Sequence, residues 1–191
     1  MRLYKLNATT PDKTLYPEYD ELLSHALPQE TELFFTKLIK ENLSLTNLVD
    51  SDFTFVNRRL AEHYGVPNIV GQQFRQIELP DDSQRGGVLT QAAILKTTAN
   101  GTVTFPVTRG NFVLSNLLGT PPSPPPPDIG SIEPDTRGKT TIREILAAHR
   151  QMDSCSKCHQ EIDPQDSPWK VLILSVDFAL IIDPMSRLLP M

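Results

Sequence analysis

Asp52-Phe53-Thr54-Phe55-Val56-Asn57-Arg58-Arg59-Leu60-Ala61-Glu62-His63-Tyr64-Gly65 decides between helix and strand in the first half of this chain. Either Asp52 or Thr54 can offer a side-chain oxygen to the unpaired amides at a helix start. From there Phe55, Val56, Leu60 and Tyr64 make one apolar side over residues 55–64. Gly65 suits the stop, where a left-handed residue closes the last turn. The stretch is therefore expected to be helical.

The same period continues on both sides. Residues 30–42 put Leu33, Phe34, Leu38 and Ile39 on one helical face, behind an irregular lead-in over 1–17. Phe74 to Leu79 alternates imperfectly and predicts a short strand. Arg85-Gly86-Gly87 opens an apolar run, Val88 to Leu95, that reads as helix, and Asn100-Gly101 marks a turn. Pro106 fits a first helical position. Val107, Phe112, Val113, Leu114, Leu117 and Leu118 give that helix a wide apolar surface, ended by Gly119. Six prolines over 121–127 favour polyproline II and read as a stiff spacer rather than a partner-binding motif. Thr141-x-x-Glu144 is a capping box opening a helix to about Arg150, with Ile142, Ile145, Leu146 and His149 on one face. No repeat is evident. The expected fold is mainly α, with small helical units, a proline-rich connector and little strand. The expected divisions are 1–84, 85–165 and a tail, 166–191.

Composition narrows the function. With 191 residues, 39% hydrophobic and 21% charged, the chain is globular in character. A net charge of -5, a pI near 5.3 and the lack of any Lys/Arg-rich run argue against a broad nucleic-acid surface. The N-terminus has no apolar core of a signal peptide, and no stretch reaches the length of a membrane span. Asp50, Asp52 and the Asp81-Asp82 pair read as turn and cap chemistry. No nucleophile–base constellation and no phosphate loop is visible; Arg85-Gly86-Gly87 is too short for one.

Cys155-Ser156-Lys157-Cys158-His159 carries the chemistry. It is a C-x-x-C-H run, the attachment pattern of c-type haem, and it holds the only two cysteines of the chain. Cys155 and Cys158 are spaced to take the two vinyl groups of one haem, and His159 can reach the iron as proximal ligand. Zinc is a rival, since Cys155, Cys158 and His159 or His149 provide three or four donors at unusual spacing. A redox dithiol fits less well, without a βαβ pattern around it. His149 shares an apolar helix face and reads as a core histidine before it reads as a ligand. His25 and His63 have no ligand-like neighbours and read as surface or helix-end residues.

Several segments together resemble a known family. They are Glu30-Thr31-Glu32-Leu33-Phe34-Phe35, the Asp52–Ala61 run with His63-Tyr64-Gly65, and Arg85-Gly86-Gly87-Val88-Leu89-Thr90-Gln91. Asn100-Gly101-Thr102, Pro106-Val107-Thr108-Arg109-Gly110, Leu117-Leu118-Gly119-Thr120-Pro121-Pro122, His149-Arg150, the C-x-x-C-H run and Ile162-Asp163-Pro164 follow in order. In these the chain is similar to the C-terminal part of large planctomycete cytochrome-c-like proteins built from domains of unknown function. The resemblance implies covalent haem c on Cys155 and Cys158, iron ligation by His159, and a redox role. It also implies export to the periplasm or beyond, with further domains upstream. No sixth ligand carries over.

After Gln165 the chain departs from that family, which continues much like G-F-A-L-E-x-F-D-P-x-G. One added base before the codons of Asp166 restores G-F-A-L-E-S-F-D-P-V-G under one choice of codons. Residues 166–191 are therefore expected to be out-of-frame translation, and Met185 and Met191 are not taken as axial ligands. The expected function is a haem-bearing electron-transfer module, a fragment of a larger exported protein, with an unidentified redox partner. The alternative is a non-redox structural or binding module with zinc or no cofactor at the cysteines. A catalytic haem enzyme is a third reading, turning on an open iron position.

Overall fold

The computed structural model describes residues 3–8, 10–80, 83, 85–99, 101, 106–123 and 162. Helix α1 runs Glu21–Lys40. Asp20 caps it, its carboxylate accepting the Leu23 amide at 2.7 Å. The helix starts before Pro28, not after it as the sequence reading has it. One lost main-chain bond at Pro28 is outweighed by an apolar stripe that spans the proline: Leu23, Ala26, Leu27, Phe34 and Leu38 are all buried.

The stretch that opened the sequence analysis is divided between two elements. Strand β1 is Phe53–Val56, and helix α2 is Arg58–Tyr64. Asn57 caps α2, accepting the Leu60 amide at 2.9 Å, so neither Asp52 nor Thr54 does. Strand β2, Arg75–Glu78, pairs antiparallel with β1, Phe53 facing Glu78 and Val56 facing Arg75. This pairing overrides the helical reading of Phe55 and Val56: a partner strand further along the chain takes up their main-chain groups, and Phe53 stacks on Phe34 at 5.2 Å. Gly65 closes α2 at φ 70°, as its position predicts.

A 3-10 turn, Val88–Thr90, leads into helix α3, Ala92–Thr97, so the expected helix over 88–95 is broken at Gln91. Helix α3 is buried at every position from Ala92 to Lys96, which makes it the central rod of its unit. It packs on α1 and on the 3-10 turn Leu3–Ala8. Lys96 reaches the Leu6 carbonyl from inside the core, with its ammonium 5.5 Å from the Tyr19 ring centroid, and burial lowers its pKa.

Gly87 permits the close approach of this segment to a third 3-10 turn, Leu45–Leu48. It sits at φ 70°, and a Cβ there would lie 2.6 Å from the Val49 carbonyl carbon. Helix α4, Pro106–Val113, begins at its proline as expected and continues as one π turn, Leu114–Leu118, to Gly119 at φ 70°.

The chain divides into two compact units. One contains the described residues up to Gly101; the other contains 106–123 and Ile162. The fold is mainly α, with a two-stranded sheet among the described residues. No helix of the described residues is long and apolar enough to cross a membrane. The capping-box helix over 141–150, most of the proline run and the tail 166–191 lie outside the described residues.

Candidate functional site

Glu30 stands within the apolar stripe of α1, between Leu27 and Phe34, and is 1% exposed. A carboxyl group so placed needs partners, because a buried charge without them is costly. Thr54 of β1 donates to its Oε1 at 2.6 Å, and the Tyr64 hydroxyl at the end of α2 donates to Oε2 at 2.5 Å. The Tyr64 oxygen in turn accepts the Ala92 amide at 2.9 Å, satisfying the start of α3. Arg85 lies over the Tyr64 ring, its guanidinium carbon 3.7 Å from the centroid, and donates to the Thr90 carbonyl at 3.0 Å. Thr31 donates to Gln91 Oε1 at 2.7 Å.

The electrostatics follow from this burial. Desolvation pushes the Glu30 carboxyl up to about 7, opposed by the hydrogen bonds from Thr54 and Tyr64 and by the Arg85 charge. Burial also raises the Tyr64 phenol well above its ordinary value, with the Glu30 charge adding to it. His63, at the helix end predicted for it, is held down to about 3 by burial first and then by Arg85 and Arg59.

Glu30, Thr54, Tyr64, Arg85, Thr90 and Gln91 surround a void of about 10 Å³, closed by Leu79, Gly86 and Gly87. That is the volume of one water molecule, not of an organic substrate. The arrangement can hold and exchange a proton at Glu30. It ties four segments of the chain together through buried polar contacts, with the Gln91 side-chain nitrogen buried and without a hydrogen-bond partner among the described residues.

Glu30, Thr54, Tyr64, Arg85, Thr90 and Gln91 all fall within the family-like segments of the sequence, but none was given a functional role there. One signal was legible: Glu30 falls at helical spacing between Leu27 and Phe34, a carboxylate in an apolar stripe. The partners were not legible, since Thr54 was read as a cap.

The haem-motif residues Cys155, Cys158 and His159, together with His149, lie outside the described residues, as do Met185 and Met191. Among the described residues no three His, Cys, Asp or Glu side chains are grouped to hold a metal ion. The described position nearest in sequence after the motif is Ile162, which packs against α4. At Gly110 of that helix, a built Cβ would collide with the Ile162 carbonyl oxygen and meet the Ile162 Cγ2 at 3.1 Å. The preceding residue, Arg109, is buried and partnered.

No curated protein and no solved structure matches the chain. Two family models do. Residues 1–66 match PSD4, a protein of unknown function (DUF1592), and residues 85–168 match PSCyt3, a protein of unknown function (DUF1588). The Glu30 cluster draws Glu30, Thr54 and Tyr64 from the first matched segment and Arg85, Thr90 and Gln91 from the second. The chain thus joins, in one polypeptide, two segments similar to domains of unknown function, and buried polar contacts run across the join.

Proposed function

We propose that this chain is a c-type-haem-bearing redox module that acts in electron transfer as part of a larger exported protein. One observation carries the reading: Cys155-Ser156-Lys157-Cys158-His159 falls inside the segment, residues 85–168, that matches a family whose label, PSCyt3, reads as cytochrome-like.

The donor set suits the group. Two thiols separated by two residues span the vinyl groups of one haem, and an imidazole beside the second thiol suits its iron. Cys155 and Cys158 would hold the haem through thioethers, each S–H adding across one vinyl double bond with its hydrogen going to the neighbouring carbon and no oxidant consumed, and His159 would ligate the iron. The haem supplies one-electron chemistry when bound; the polypeptide sets its burial and surroundings, and so its potential.

The test is expression of the full chain behind a periplasmic export signal with haem-maturation machinery. A visible haem band that survives acid denaturation supports thioether attachment. A colourless protein containing zinc sinks the proposal and favours a structural or binding role for the cysteines. Cys155→Ala with Cys158→Ala is expected to lose all covalent haem.

A further inference from the structure

Gln91 stands at the N-cap of α3, yet its side chain makes no cap bond there. It is 3% exposed and turns toward α1, where Thr31 donates to its Oε1 at 2.7 Å. The amide nitrogen carries two N–H donors and is buried with no hydrogen-bond partner among the described residues. A buried donor left unmade is costly, so this one calls for an acceptor of its own. Gln91 also lines the void of about 10 Å³ beside Glu30, which has room for one water molecule. Glu30 can meet such a molecule. Its Oε1 accepts from Thr54 and its Oε2 from Tyr64, and each carboxyl oxygen has a second lone pair. Arg85, on the same wall, has five N–H donors and gives one of them to the Thr90 carbonyl.

We propose that this void is a binding site for a single internal water, held by the Gln91 amide and hydrogen-bonded to the Glu30 carboxyl. The water accepts from Gln91 Nε2 and donates to Glu30. One molecule thus gives the orphaned donor an acceptor and the carboxyl group a further donor. Water suits this place better than an ion. The Arg85 guanidinium on the wall repels a cation, and the Glu30 carboxylate repels an anion. Tyr64 is the other titratable group on the wall, and among the described residues no three metal-ligating side chains are grouped. The water joins Glu30, from the segment matched over 1–66, to Gln91, from the segment matched over 85–168. The inference goes beyond the haem reading and does not call on it.

The test uses the full chain, compared with Gln91→Met and Gln73→Met. The first keeps the length of the side chain and removes its amide; the second makes the same change at an exposed position. Magnetic relaxation dispersion of the water oxygen counts long-lived internal waters. The wild type is expected to hold one more than Gln91→Met, and Gln73→Met the same number as the wild type. The Glu30 carboxyl, followed by carbon NMR across a pH series, is expected to titrate higher in Gln91→Met, because its charged form loses a donor. A purely structural role for Gln91 would lower the stability of Gln91→Met and leave the water count unchanged. An equal count in the wild type and Gln91→Met, or a Glu30 titration that does not move, overturns the proposal. Should Gln91→Met yield no soluble protein, a high-resolution crystal structure of the wild type decides: no ordered water between Gln91 Nε2 and Glu30 overturns it.

Discussion

Two places join parts of this chain that are far apart in sequence, and they do so by opposite means. Around Glu30 the contact is chemical: a buried carboxyl group, two hydroxyls and an amide satisfy one another, with an arginine stacked alongside. At Gly110 the contact is steric: two backbones meet where a side chain is missing. The first kind of junction responds to pH and tolerates change only where partners remain satisfied. The second is indifferent to pH and tolerates no added atom. Gly87 shows that the first unit also uses the steric device, beside its polar one.

The largest expected effect breaks that steric device in the first unit. Gly87 combines φ 70° and ψ -179°, a region almost reserved for glycine, with a Cβ position 2.7 Å from the Leu48 carbonyl oxygen. Gly87→Ala is expected to cost about 4 kcal/mol, summing backbone strain and overpacking. Urea unfolding at pH 7 measures it; a cost below about 1 kcal/mol would remove the steric account.

The polar junction makes a prediction in pH. Glu30 is held near 7 against an ordinary 4.5, so its contribution is full below pH 4.5 and is lost as pH rises to 7. His63 is held near 3 against 6.5, so its contribution is full above pH 6.5 and is lost as pH falls to 3. Between pH 4.5 and 6.5 the two slopes oppose, and these groups leave the stability of the wild type flat. His63→Gln is expected to uncover the Glu30 term, a fall of about 3 kcal/mol from pH 4.5 to 7. Glu30→Gln uncovers the opposite slope, stability rising from pH 3 to 6.5. Urea midpoints across a pH series distinguish these profiles. If both variants keep the wild-type profile, Glu30 does not titrate as its burial requires.

Tyr64→Phe removes one hydroxyl and strands two groups, the Glu30 Oε2 and the Ala92 amide. A loss of about 2 kcal/mol is expected by denaturant unfolding. The double variant with Glu30→Gln should cost less than the sum of the singles, since both act on one network. Full additivity would show that the residues do not act as a unit.

The smallest effect is a local one, for scale. Asn57→Ala deletes the α2 cap and is expected to cost about 1 kcal/mol, with no change in pH profile. A cost as large as that of Gly87→Ala would mean that local capping rivals the junctions between segments.

Much of the fold was legible because helix signals are local. Pro106 at a helix start, Gly65 and Gly119 at helix ends, and the stripe of Phe34 and Leu38 follow from neighbours within a turn or two. The error at Phe55 and Val56 has the same root. Period alone made them helical, while the strand partner that claims them, Arg75–Glu78, lies further along the chain. The start of α1 was misplaced because the apolar face was read only from Leu33 onward, whereas Leu23, Ala26 and Leu27, on the other side of Pro28, are buried with it.

By itself the sequence determined the chemistry on offer: two cysteines and a histidine in one short run, a net charge of -5, and a mainly helical chain. Only the tertiary structure decided which ordinary residues became special. Glu30 is one acid among many until Thr54 and Tyr64 close over it, and Gly110 is one weak helix residue until Ile162 arrives. The physical reason is common to both. Periodicity and capping depend on nearby residues, whereas desolvation and steric exclusion depend on atoms that only folding brings near.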